Sequence, residues 1–190
     1  MTLAVPTATH GVTERASVDT AGRQGNRITF APPAISADGR FVAFASAATN
    51  LVAGDTNGQI DVFVRDRTAG TTQRVNVGSD GAESKGNSGD PAISADGRFV
   101  CFFSTASNLV RHDTNGATDV FVHDRTTRRT ERANVGASGT QDNFGSAESA
   151  LLPTAAMSCS SPARKGWCPA TPTAGATFSS AIVRPGRLSA

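Results

Sequence analysis

An all-β fold built from repeated four-stranded antiparallel units is expected for this 190-residue chain, on three observations. The first is a duplication: Pro33–Gly78 returns as Pro91–Gly136, an offset of 58 residues, with about 32 of 46 aligned positions identical. Self-similarity at a fixed period marks architectures in which one unit cannot bury its own apolar face and needs stacked neighbours. The second is the run of short alternating or doubly apolar segments separated by Asp-Gly, Asn-Gly and Ala-Gly turns. The third is that no helical period and no capped amphipathic run occurs anywhere.

The elements follow in order along the first repeat. Ala34–Ser36 is a short apolar strand, and Asp38-Gly39 supplies a tight hairpin turn. Phe41–Ser46 comes next, with Phe41, Ala43 and Ala45 on one face and Val42 and Phe44 on the other, a strand covered on both sides. The connection Ala47–Ile60 carries Asp55-Thr56-Asn57-Gly58 and leads to a third strand, Asp61–Arg67. A turn near Ala69-Gly70 then gives Thr72–Val77. Thr13–Val18 matches Thr130–Val135, so it is the last strand of a preceding, mostly absent unit. The expected organisation is residues 1–32 as the end of that unit and its connection, repeats at 33–90 and 91–148, and an aberrant segment at 149–190.

Four short antiparallel strands per repeat describe the blade of a β-propeller. Ile35–Phe44 (ISADGRFVAF), Asn50–Val52 (NLV), Gly54–Gly58 (GDTNG) and Asp61–Arg67 (DVFVRDR) together resemble the WD40-like repeat of bacterial TolB-type β-propellers. The resemblance covers about Thr13–Gly136. It implies a propeller used as a binding scaffold, usually in exported proteins, with protein partners in the periplasmic family. A complete propeller has roughly four or more blades; about two and a half are present here, so the expectation is an incomplete propeller.

The pattern should restart near residue 149, and Ser149-Ala150-Leu151 resembles Pro91-Ala92-Ile93. Beyond Leu151 the chain turns to Ala, Thr, Ser and Pro, the composition of a disordered linker. A one-base slip of the reading frame accounts for this segment better. In the shifted frame Pro153–Ser160 can spell Ala-Asp-Gly-Arg-Tyr-Val-Val-Phe, and Pro169–Ser179 can spell Pro-Gly-Asp-Thr-Asn-Gly-Arg-Arg-Asp-Val-Phe. Thr154, Thr171 and Thr177 then stand 116 residues beyond Asp38, Asp55 and Asp61, twice the repeat. The tail is expected to be a third blade read out of frame, without a stable strand register over Leu152–Ala190. Open blade faces and unpaired strand edges would then favour self-association.

A formal charge of +2 and scattered arginines argue against a nucleic-acid partner. The cluster Arg128, Arg129 and Arg132 is expected to be a solvated strand end. No apolar run approaches the ~20 residues of a membrane span. Met1–His10 has neither a basic start nor an apolar stretch, so no signal peptide is visible; the expectation is a cytoplasmic chain or a missing natural N-terminus.

Among candidate sites, Asp55, Asn57 and Asp61, repeated as Asp113, Asn115 and Asp119, resemble a calcium loop, with oxygen ligands near a sharp Gly turn. Ala53 or Arg111 stands where the first ligand belongs and no terminal Glu follows. The loops are therefore expected to be Asx turns that bind calcium weakly or not at all. His112 and His123 replace Gly54 and Arg65 and are expected at the surface, whereas Cys101, opposite Ala43, is expected to be a small buried side chain. Asp38/Asp96 and Asp66/Asp124 recur once per repeat, as turn and strand-end devices do. Catalysis needs one asymmetric constellation, and no catalytic motif occurs. The expected function is a non-catalytic scaffold for a protein or ligand; the alternative is the propeller portion of an exported hydrolase whose catalytic residues lie outside this chain.

Overall fold

A computed structural model of the chain describes residues 13–135, 141, 148–151 and 157–160. Two four-stranded antiparallel sheets dominate it. The first takes the order β1 (Thr29–Ile35), β2 (Phe41–Ser46), β3 (Asp61–Asp66), β4 (Thr71–Arg74). The second repeats it as β5 (Ser88–Ile93), β6 (Phe99–Ser104), β7 (Asp119–Asp124), β8 (Arg129–Arg132). Registers correspond position by position: Phe44 faces Phe63 across β2 and β3, and Phe102 faces Phe121 across β6 and β7. Among the described residues no helix is long and apolar enough to cross a membrane.

Strand ends differ from expectation for local reasons. β1 and β5 start earlier, at Thr29 and Ser88, and carry Pro32-Pro33 and Pro91 inside them. Proline is tolerated there because each is the edge strand of its sheet, and a bulge breaks the ladder between Phe30 and Ala34 and between Gly89 and Ala92. The bulged backbone is left-handed at Ala31 and Asp90. Repeat one has one residue more in this bulge, which is why Thr13–Val18 aligns with Thr72–Val77 at an offset one larger than the strands that follow. β4 and β8 stop before Val77 and Val135 because a side chain takes the next ladder position: the amides of Val62 and Val120 donate to Asn76 Oδ1 and Asn134 Oδ1 at 3.0 and 3.1 Å.

The sheets pack face to face. Ala43, Ala45, Val62, Val64 and Val75 of the first meet Ile93, Val100, Phe102 and Phe121 of the second in one buried cluster, with Ala106 and Leu109. Alanines on β2 make room for the second sheet's stacked Phe102 and Phe121, whose ring centroids are 5.9 Å apart. Burying such a side chain stabilises the fold by about 2–3 kcal/mol. Cys101 is buried, as expected. The expectation of open blade faces fails at both ends of the stack. Phe44 and Phe63 are covered by Ala48 and Leu51 of their own β2–β3 connection, and the far face of the second sheet, with Phe99, Cys101 and Phe103, is buried too.

Beyond the second sheet, β9 (Glu148–Leu151) and β10 (Met157–Ser160) pair antiparallel. β9 runs against β5 and β6 much as β5 runs against β1 and β2, the place of a third blade's first strand. The expected lack of strand register past Leu151 therefore does not hold for Met157–Ser160. That stretch lies between Pro153 and Pro162, where nothing prevents laddering. Its register is slipped by one residue: Leu151 pairs with Met157, whereas Ile93 and Val100 carried forward by one repeat would pair Leu151 with Ser158. Thr154, Thr171, Thr177 and Pro169–Ser179 lie outside the described residues.

Candidate functional site: the aspartate loops and their arginine

Each β2–β3 connection ends in an aspartate loop, and its conformation follows from Asn and Gly. Asn57 Oδ1 accepts the Gln59 amide at 2.9 Å and Gly58 has φ of 66°; Asn115 Oδ1 accepts the Ala117 amide at 3.2 Å and Gly116 has φ of 64°. These are Asx turns with glycine in the left-handed region. Asn57 Nδ2 and Asn115 Nδ2 then donate to Asp61 Oδ1 and Asp119 Oδ1 at 3.0 and 3.1 Å. Asn76 and Asn134 donate to the same two oxygens.

The centre of each loop is occupied by an arginine. Arg74 Nη1 lies 3.1 Å from Asp55 Oδ1 and 3.3 Å from Asp61 Oδ2, and its Nη2 is 2.6 Å from Glu83 Oε1. In the second repeat Arg132 Nη1 is 3.1 Å from Asp113 Oδ1 and 3.4 Å from Asp119 Oδ2. Gln141 stands where Glu83 does; its Oε1 accepts the Thr114 amide at 3.2 Å. All six expected loop residues are thus brought together, three per loop, around a guanidinium rather than around open space. Among the described residues no group of three or more His, Cys, Asp and Glu side chains is arranged to hold a metal. Burial, reinforced by Asp61 and opposed by Arg74, raises the Asp55 carboxyl above its ordinary value; burial and Asp119 do the same to Asp113.

The arginine is the element that motif reading missed, although its signal was present: Arg15, Arg74 and Arg132 follow the same threonine at the same spacing. Arg132 was expected in a solvated cluster with Arg128 and Arg129. Those two are exposed, but the Arg132 side chain is only 8 % exposed. His123 was expected at the surface and is fully buried. The Thr130 hydroxyl donates to Val77 O, so it accepts from His123 Nδ1 at 2.9 Å, which leaves Nε2 as a buried lone pair. Burial lowers the His123 pKa to about 4. His112 is exposed as expected.

The remaining recurring acids serve the turns. Asp38 Oδ1 accepts from the Ser36 hydroxyl at 2.6 Å and the Arg40 amide at 3.0 Å, and Asp96 repeats this with Ser94 and Arg98. Asp66 takes a two-pronged pair from Arg40 at 3.0 and 2.7 Å and caps the amides of Thr68 and Ala69. Hydrogen bonding from Arg40, against burial, holds Asp66 at about 2. At Asp124 burial opposes ionisation, but bonds from Arg98, Thr126 and Thr127 hold it at about 2 as well. The two sheets are stapled by Arg125, which lies 4.4 Å above the Phe41 ring of the other repeat and donates to Gly97 O at 2.6 Å.

Strand order, repeated register and face-to-face packing decide the architecture. The described residues form a partial β-propeller. No family model and no curated protein matches the chain. Among solved structures it is similar to TolB-type proteins. One is from Agrobacterium tumefaciens, at 16% identity over 67% of this chain and 38% of that one, with TM-score 0.43. Another is TolB from Acinetobacter baumannii, at 17% over 73% of this chain and 27% of that one, with TM-score 0.42. Pyrococcus horikoshii acylaminoacyl peptidase is also similar, at 16% over 56% and 14%, with TM-score 0.33. The partial propeller thus spans well under half the length of each of these proteins. The likeness is one of fold type, and the architecture rests on the strands themselves.

Proposed function

We propose that the chain is a non-catalytic β-propeller scaffold for a protein or ligand partner, with repeat units 33–90 and 91–148 and a third begun at 149. The observation that carries this reading is the use made of the reactive side chains. Asp38, Asp55, Asp61, Asp66, Arg40 and Arg74 and their counterparts one repeat on are all engaged within their own repeat. What differs between the repeats at the surface is a second set. Ala53-Gly54 becomes Arg111-His112, and Gly70-Thr71 becomes Arg128-Arg129. His112 and Arg128 both hold φ of 59°, where repeat one has glycine at 73° and 66°. A non-glycine side chain there costs about 1–2 kcal/mol, and strain at an exposed polar residue points to recognition. In this proposal the aspartate loops are turns and need no calcium. The test is labelling of the full chain with a fluorophosphonate probe, beside turnover of ester and peptide anilide substrates. No labelling and no turnover is expected; labelling abolished by a single serine substitution would overturn the proposal.

A further inference from the structure

Arg125 is the second repeat's copy of Arg67, and one of its nitrogens lacks the acceptor that Arg67 has. Both arginines follow the aspartate that ends the third strand of their sheet. Each donates through Nη1 to a turn carbonyl, Arg67 to Gly39 O at 2.7 Å and Arg125 to Gly97 O at 2.6 Å. Arg67 Nε then donates to the Glu14 carboxylate. Arg125 Nε is buried and has no acceptor. A buried donor on a charged group is costly to leave unpaired, and an ion or water that completes it is the usual explanation.

The sequence accounts for the difference. Glu14 stands four residues before Val18, and Gln73 stands four before Val77. The two valines are equivalent: they bridge Gln24 and Glu83, and their carbonyls accept from the Thr72 and Thr130 hydroxyls. The second repeat therefore meets Gln73 where the first meets a carboxylate. Gln73 opposes Val64, which opposes Ala43. Alternation along β2 then puts Gln73 on the face that carries Phe41 and packs against the second sheet.

The acids nearest Arg125 are already engaged. Asp66 is held by Arg40 and by the amides of Thr68 and Ala69. Asp124 is held by Arg98 and by the amides of Thr126 and Thr127, and Asp96 by Ser94 and the Arg98 amide. Arg40 lies over the same Phe41 ring as Arg125, at 4.7 and 4.4 Å. Two guanidinium groups thus share one ring and one carboxylate, Asp66. Burial lowers the Arg125 pKa, with Asp66 opposing and Arg40 reinforcing the effect.

We propose that Arg125 and Arg40 bind a carboxylate at the seam between the two repeats, where it takes the part that Glu14 plays for Arg67. A partner protein's acidic side chain and a free small acid present the same pair of oxygens to a guanidinium edge. The site stands whether or not the chain is a catalyst.

The test follows the Arg125 Nε–H resonance in proton–nitrogen correlation spectra of the full chain. Sodium acetate is titrated at constant ionic strength, beside sodium chloride and the capped peptide Gly-Gly-Glu-Gly-Gly. A saturable displacement by acetate and none by chloride is expected. Saturation by the peptide at lower concentration than acetate assigns the ligand to a partner's side chain, and the reverse order assigns it to a free acid. Gln73→Glu supplies the carboxylate from within, so its resonance should stand displaced without ligand and acetate should move it no further. Gln73→Met, of similar shape, should respond to acetate as the parent chain does. An Arg125 resonance indifferent to acetate, or a response that chloride reproduces, that survives Gln73→Glu or that is lost in Gln73→Met, would overturn the proposal.

Discussion

Gly39 and Gly97 occupy the same turn in the two repeats, with φ of 71° and 72°, yet they differ in what surrounds them. A Cβ on Gly97 would stand 2.0 Å from Phe41 Cδ2, whereas one on Gly39 would make only ordinary contacts, with Arg67 Nη1 at 3.7 Å and Ile35 Cδ1 at 4.0 Å. Gly39→Ala should therefore cost about 1 kcal/mol for the left-handed backbone, and Gly97→Ala about 1–3 kcal/mol more for the overpacked interface. Urea midpoints of the two variants check the difference. Arg74 gives a second prediction at this scale. Arg74→Gln leaves Asp55, Asp61 and Glu83 together without a cation and should destabilise the chain by about 3–5 kcal/mol. Millimolar calcium should restore part of the loss in the variant while leaving the parent chain's thermal midpoint unchanged. A calcium-dependent midpoint in the parent chain would show that the loops bind metal as they stand. The turn residues were legible because each is local: Asp38, Gly39, Asn57 and Gly58 act on neighbours a few positions away. Arg74 was not, because its two aspartate partners, Asp55 and Asp61, lie 19 and 13 positions back and are brought to it by the pairing of β3 with β4.

At the scale of the strand, β2 and β3 could be placed from alternation alone because both faces are apolar and their ends are fixed by Asp-Gly and Asn-Gly turns. β1 and β5 could not, since proline argues against a strand unless the strand is known to be an edge. His123 belongs to this scale too. Its place in β7 puts it on the face that meets the other sheet, so reading it as a stray surface substitution for Arg65 failed. Its folded pKa of about 4 lies below the ordinary unfolded value of roughly 6.5. The group therefore contributes stability that is fully present above pH ~6.5 and lost as pH falls toward 4, on the order of 3 kcal/mol. His123→Gln should flatten the urea midpoint across that interval; an unchanged slope would show that His123 is not the titrating group. The slipped β9–β10 pair gives a further test. Restoring the reading frame after Leu151 should return the pairing to the register of β5 and β6. Backbone NOEs linking residue 151 to residue 158 would show it, and NOEs to residue 157 in the restored chain would count against the frameshift.

For the whole molecule, the large apolar side chains left exposed among the described residues are Ile28 and Ile35, 63 % and 59 % exposed. They lie just before and at the end of the edge strand β1. Self-association is therefore expected through that edge rather than through the blade faces. Ile35→Lys should raise the monomer fraction in sedimentation equilibrium, and a chain already monomeric would contradict the expectation. The deeper claim is that neither repeat is stable alone, because Ala43, Val62, Val64, Phe102 and Phe121 form one cluster shared by both. Native-state hydrogen exchange over a denaturant series, on the parent chain and on Gly97→Ala, tests this directly. Amides of Phe41–Ser46 and Phe99–Ser104 should converge on a common opening free energy, and the substitution should lower both by the same amount. Separate opening of the two sheets, with the loss confined to the second repeat, would contradict it.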